Sequence, residues 1–180
     1  TPTSAMNRAG TGLKNPGLDH RMEFFDPKTR PLAILIDDGA LMTAPDGLIL
    51  STATTVFAWA VGAMSLDVVN PLVAGDHAQA FRLALDAYRR LPGALDDPAP
   101  RRDLCLAAFL QNRAEDDGQT FVVRGPFAGD YACATALHLE YPNLKQGEST
   151  AVVHAATIRL ADGVTSAQAQ GPASALGVWR

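Results

Sequence analysis

Between Ser51 and Ala63 the chain reads S-T-A-T-T-V-F-A-W-A-V-G-A. This stretch has no charge, and its only polar side chains are hydroxyls gathered at its start. A helix of this composition has no face suited to water, so neighbours must cover it on every side. That demand selects a multi-helix core with this segment inside it. The helix is expected over Leu48 to Leu66, opened by Ala44-Pro45-Asp46.

The segments around it supply covering surfaces. Asn70-Pro71 reads as a cap followed by proline, and the helix it opens is expected to stop at Leu91, before Pro92-Gly93. Ala80, Leu83, Ala84, Ala87 and Leu91 fall on one face at helical spacing. Arg82, Asp86, Arg89 and Arg90 fall mostly on the other, as a solvated face. Asp97 is expected to cap a helix from about Pro100 to Asp116. Phe121 to Arg124 reads as a short extended link. Further helices are expected over Ala128 to Glu140, Glu148 to Leu160 and Ser166 to Leu176.

The lead has a different texture. Residues 1–31 are rich in Gly, Pro and Asn and read as loop with short extended pieces, including Arg21 to Phe25. The run P-L-A-I-L-I-D-D, from Pro31 to Asp38, reads as a short buried strand, with Asp37-Asp38 ending it rather than doing chemistry. The expected fold class is therefore mainly α: a short β-containing lead and then an all-α bundle. From Pro45 onward five or six helices are expected, with strand confined to residues before Asp38.

Charge narrows the function classes. Fifteen Lys plus Arg stand against nineteen Asp plus Glu, without a basic tract, which argues against nucleic acid as a partner. With no signal peptide and no run of eighteen apolar residues, a cytoplasmic protein without a membrane partner is the expectation. Cys105 and Cys133 lack metal spacing and read as buried free thiols, with a disulfide or a reactive thiol as the alternatives. Neither end of the chain reads as a natural boundary, and a piece of a longer protein is expected.

Four motifs carry a resemblance. The first is P-T-S at Pro2 to Ser4, with A-G-T-G at Ala9 to Gly12. The second is L-A-I-L-I-D-D-G-A-L-M-T-A-P, from Leu32 to Pro45. The third is the uncharged helix followed by N-P-L at Asn70 to Leu72. The fourth is A-C-A-T-A-L, from Ala132 to Leu137, with Q-G-E-S-T-A at Gln146 to Ala151. In this order they resemble the iron-containing alcohol dehydrogenases, with the maleylacetate reductases and the wider dehydroquinate-synthase-like group.

The resemblance implies that residues 1–40 end a nucleotide-binding α/β domain and that residues 41–180 begin a helical domain, incomplete at its C-terminus. It implies NAD- or NADP-dependent reduction of a small carbonyl compound. Thr3, Ser4, Gly10, Thr11 and Gly12 would then contact the cofactor, through backbone N–H groups and hydroxyl donors. Lys14, Asn15 and Arg8 are further candidates for an anionic group, although Leu13-Lys14 stands where the family commonly has Ser-Glu.

The resemblance also identifies a departure. The family's metal is held by an Asp and a His four apart on one helix and by two later His. Here those positions carry Thr55, Trp59, Tyr131 and Gln146, and none is a strong ligand for Fe²⁺ or Zn²⁺. No metal is expected. His20, His77, His138 and His154 remain; His138 and His154 fall on separate expected helices, and no carboxylate pairs with either at ligand spacing. Thr55 and Trp59 are either ordinary core residues or, with Thr135, Tyr131 and Gln146, the lining of a reshaped substrate pocket. Tyr131 and His138 are the candidate proton donors. A repurposed non-redox enzyme, or a silent subunit pairing with a homologue, is the alternative to a metal-free oxidoreductase. A bare helical binding module is a third class, and a homodimer is also open.

Overall fold

The computed structural model describes residues 6–15, 17, 20–66, 68–117 and 129–160. The chain opens with a hairpin, β1 (Gly10–Asn15) and β2 (His20–Phe25), paired antiparallel with Gly10 opposite Phe25 and Asn15 opposite His20. Among the described residues six α-helices follow: α1 (Asp38–Met42), α2 (Asp46–Met64), α3 (Ala74–Arg90), α4 (Pro98–Asp116), α5 (Asp130–Glu140) and α6 (Gln146–Leu160). Among the described residues, strand occurs only in the hairpin. The protein is mainly α with a short β lead, as the periodicity requires.

Local chemistry explains where the helices begin. Asp97 Oδ1 accepts the Ala99 N–H at 2.9 Å, and Pro98 takes the first helical position, where no N–H partner is needed. Asn70 Oδ1 accepts the Leu72 N–H at 3.0 Å, forming a capped turn that leads into α3. Arg90 ends α3, and Leu91–Gly93 tightens into one 3₁₀ turn at the proline.

The uncharged helix α2 is the centre of the molecule. Its buried residues fall on two sides, Ile49, Val56 and Ala60 on one and Ser51, Thr55 and Ala58 on the other, because α3 and α4 cover one side and α6 another. By length and composition alone α2 is apolar enough to cross a membrane, and here neighbouring helices supply its apolar surroundings. The main core joins Ile49, Val56 and Ala60 of α2 to Phe81, Ala84 and Ala87 of α3 and Leu104 and Ala107 of α4. So many alanines let the helix axes approach closely, and aromatic rings fill the wider gaps. Phe57 stacks on Tyr88 at 5.0 Å between centroids and meets Phe81 at 6.1 Å.

Arg101, on α4, is 1% exposed and ties the start of the bundle together. One terminal nitrogen donates to the carbonyls of Leu41 (2.9 Å) and Ala44 (2.8 Å). The other donates to the Leu95 carbonyl (2.9 Å) and the Asp46 carboxylate (3.0 Å). The C-terminal end of α4 holds the hairpin in a similar way. Asn7 donates to the Phe109 carbonyl at 2.8 Å, Arg8 pairs with Glu115 at 2.9 Å, and Arg30 pairs with Asp116 at 2.9 Å.

Two expectations from the sequence need correction. Pro31 to Asp38 is not a buried strand: residues 33–37 have no regular structure, and Leu32 and Leu35 are exposed. The hairpin is a sheet of two strands, and this segment does not pair with either of them. Asp37 and Asp38 do not end a strand either. Asp37 caps α1 through the Ala40 N–H at 2.7 Å, and Asp38 takes both its oxygens to Arg102 at 2.9 and 2.8 Å. Cys105 is buried, and burial pushes its thiol pKa up, but Cys133 is exposed, because it falls on the outer face of α5. The expected link Phe121 to Arg124 and helix Ser166 to Leu176 lie outside the described residues.

The packing sets two expectations. Replacing Arg101 with Met keeps the volume but orphans three carbonyls, and unfolding by denaturant should show a loss of about 3 kcal/mol. Lys should recover only part of it, because one ammonium cannot reproduce a fork that reaches four acceptors. His77 is 4% exposed, and its pKa is lowered because burial disfavours the charged ring, with Asp76 opposing weakly. The unfolded chain therefore takes up a proton on His77 that the folded chain resists. The stability from this residue is complete above about pH 6.5, the ordinary histidine value, and falls as pH drops below it. His77→Gln should flatten that acid limb in a series of melts across pH.

Candidate functional site

The junction of α2, α5 and α6 brings together most of the residues singled out in the sequence. On α2, Ser51, Thr55 and Trp59 recur every four residues and so share one face. Thr55 is 2% exposed, and its hydroxyl lies 3.5 Å from the Ser51 carbonyl, to which it donates. Trp59 meets Tyr131 of α5 edge to face, with centroids 5.7 Å apart and planes at 71°. This geometry sets the positive ring edge of one aromatic against the negative face of the other.

The first turn of α6 reaches the same face of α2. The Gly147 N–H donates to Ser51 Oγ at 3.0 Å. A Cβ built on Gly147 would lie 1.7 Å from the Ser51 carbonyl oxygen, so only glycine permits this approach. Gln146, immediately before it, is half-buried, and its carbonyl accepts the Ser149 hydroxyl at 2.9 Å. Two of the four positions at which the resembling family holds its metal, 59 and 131, are thus in contact. The other two, 55 and 146, lie beside the Ser51–Gly147 crossing.

A polar cluster adjoins the aromatic pair. His154 Nδ1 lies 2.8 Å from Asp130 Oδ2, and the Thr157 hydroxyl donates to Asp130 Oδ1 at 2.5 Å. A carboxylate only accepts, so His154 carries its proton on Nδ1 toward Asp130. The two side chains are 12% and 11% exposed. Asp130 directly precedes Tyr131, so one turn of α5 carries both the carboxylate that meets His154 of α6 and the aromatic contact. Thr135, one turn further on, has a buried hydroxyl with no hydrogen-bond partner among the described residues.

Sequence reading missed the Asp130–His154 pair. The two residues are 24 positions apart on different helices, so no local spacing reveals them. The one available signal was an Asp at the expected start of one helix and a His in the middle of the next, which short-connected antiparallel neighbours can bring together. His138 behaves differently. Its Nδ1 lies 3.2 Å from the Ala134 carbonyl of its own helix, a local contact within α5.

The glycine motif lies apart from this junction. Gly10, Thr11 and Gly12 form part of β1 rather than a loop, because the following residues find a complementary strand in β2. Gly10 and Thr11 line an open depression with Arg8, Phe24, Phe25 and Thr29. Two of its side chains are already engaged: Arg8 with Glu115 through a terminal nitrogen, and the Thr29 hydroxyl with the carbonyls of Asp26 (2.7 Å) and Ala9 (3.2 Å). Thr3 and Ser4 lie outside the described residues. Among the described residues, no group of three or more His, Cys, Asp or Glu side chains is placed to share a metal ion.

The Gly147 crossing generates a direct test. Alanine is a better helix former than glycine, so Gly147→Ala would stabilise an isolated α6. Here the added methyl must push α6 off α2, and the protein should lose about 3 kcal/mol in denaturant unfolding. Ser51→Gly combined with Gly147→Ala should not restore it, because the clash is with the Ser51 backbone carbonyl.

Compared with protein-family models, with curated proteins and with solved structures, the chain gives no match.

Proposed function

We propose that the chain is the central part of an NAD(P)-dependent oxidoreductase that reduces a small carbonyl compound without a metal. The observation that carries this reading is the Trp59–Tyr131 contact at 5.7 Å. It joins α2 to α5 at two positions where the resembling family supplies metal ligands, and neither residue present suits that role. Indole offers no lone pair to a cation, and the neutral oxygens of Thr55 and Gln146 are weak donors for Fe²⁺ or Zn²⁺. The donor set does not fit a metal, and no step is assigned to one.

The nicotinamide cofactor, when bound, supplies the hydride. Gly10 and Thr11, in the depression beside the hairpin, are the described residues that would contact it, at its pyrophosphate rather than at the hydride. The remaining task is to stabilise the developing alkoxide and give it a proton. The Tyr131 hydroxyl is the donor in this reading, with Trp59 holding its ring. Asp130, beside Tyr131 on α5, and His154 of α6 provide the polar surroundings. The buried Thr135 hydroxyl fits a substrate-binding role, because leaving it unpaired costs about 1–3 kcal/mol that a bound carbonyl oxygen would recover.

A second reading is a catalytically silent relative that serves as a partner subunit. The same aromatic contact favours it, since two large rings packed together fill the space between α2 and α5. Engagement of Arg8 by Glu115 also removes one cation from the cofactor side.

The two readings separate on turnover. The full-length protein should oxidise NADH or NADPH with short aldehydes or keto acids, at a rate unchanged by a strong chelator. Tyr131→Phe should lower kcat about 100-fold or more, and His138→Ala should leave it nearly unchanged. Cofactor binding without turnover would support the silent subunit. Chelator-sensitive turnover would sink the metal-free reading.

A further inference from the structure

Residues 31–36, P-L-A-I-L-I, are an apolar run outside the helices and the hairpin, without a pairing partner among the described residues. Among the described residues, their backbone groups make no hydrogen bond to the rest of the chain. Exposure alternates from residue 33 to residue 37 as in a strand: Ala33, Leu35 and Asp37 are exposed, and Ile34 and Ile36 are half-buried. Leu32 and Leu35 are 106% and 94% exposed. A β-branched and aliphatic run with unsatisfied N–H and C=O groups is a template for strand addition.

The ends of the run say what would pair with it. Arg30 flanks it on one side and Asp38 on the other. Each has an ion-pair partner within the chain, and each side chain is still open to solvent, at 43% and 45% exposure. In an antiparallel ladder of the segment with itself, centred on Ile34, Arg30 of each copy lies opposite Asp38 of the other. Leu32 then faces Ile36, and Leu35 covers Ala33. A parallel ladder would put like charges together. Pro31 lacks an N–H and suits the first position of such a strand. The charge pattern is thus self-complementary under a two-fold axis, the commonest symmetry of homo-oligomers.

We propose that residues 31–37 form the pairing strand of a homodimer, through an antiparallel ladder centred on Ile34. The partner is a second copy of this chain. The proposal is independent of the catalytic reading, since the segment lies outside the α2–α5–α6 junction.

The test exploits the crossed charges. The wild-type protein should have the mass of a dimer by light scattering and sedimentation equilibrium. Arg30→Glu places two acids together in each of the two symmetric pairs, and Asp38→Arg places two bases together, so each variant should run as a monomer. An equimolar mixture of the two should recover a dimer. In the mixed pair the introduced acid of one variant meets the introduced base of the other, and the unchanged Arg30 and Asp38 meet at the second crossing. Leu35→Glu, at a position nearly free of contacts, should also give a monomer with unchanged helical circular dichroism. A monomeric wild type would overturn the proposal. So would a Leu35→Glu variant that stays dimeric, or a mixture of well-folded charge variants that stays monomeric.

Discussion

One guanidinium, that of Arg101, governs how the bundle begins. It reaches the end of α1, the turn into α2, the first residue of α2 and the link before α4. These are points where backbone carbonyls have run out of helical partners. A cation with a planar fork satisfies several such groups at once in a place that water does not reach. The direction in which α2 enters the core follows from this interaction, and with it the face α2 turns toward α6. The register of Ser51, Thr55 and Trp59 at the junction depends on a side chain of α4 that touches none of them.

Most of the helical architecture was legible in the sequence because apolar periodicity is a local signal. The stripe from Ala80 to Leu91 is the clearest case: Ala80, Ala84, Ala87 and Leu91 are all buried. The cap at Asp97 is local too, set by its own side chain and the proline after it. What could not be read was pairing. Pro31 to Asp38 has the composition of a strand, but a strand exists only beside another, and composition does not supply one. Similarly, Gly10 and Gly12 suggest a loop when read alone, and only β2 across from them makes them a strand. The burial of Arg101 was illegible for the same reason, since its acceptors are drawn from four separate segments.

The junction of α2, α5 and α6 shows both sides of this. The four-residue rhythm of Ser51, Thr55 and Trp59 is fixed by helical geometry, so their common face was readable. That Tyr131 arrives there was suggested by the resemblance alone. Asp130 and His154 belong to no repeating pattern, and their meeting depends on how α5 and α6 lie together. Their hydrogen bond nevertheless does local work. It gives the carboxylate two donors in a nearly dry site, where an unpaired carboxylate would be costly. It also ties the start of α5 to the second half of α6. The exposed position of Cys133 has the same origin, because which side of α5 faces outward is decided by α2 and α6 rather than by α5's own sequence.

The absence of charge along α2 matters during synthesis as well as in the finished fold. The residue that closes its last face, Gly147, lies 96 positions after its contact at Ser51. At ordinary rates of translation that separation takes about 5–20 s. Through that interval α2 has been made and α6 has not, and hydroxyl and aliphatic groups meant for Gly147 face solvent on a nascent chain. With no charged side chain between Gly47 and Leu66, nothing along the helix repels another apolar surface. This makes α2 the segment of the growing chain most dependent on chaperone shielding, and it links the yield of folded protein to how promptly its last helices leave the ribosome.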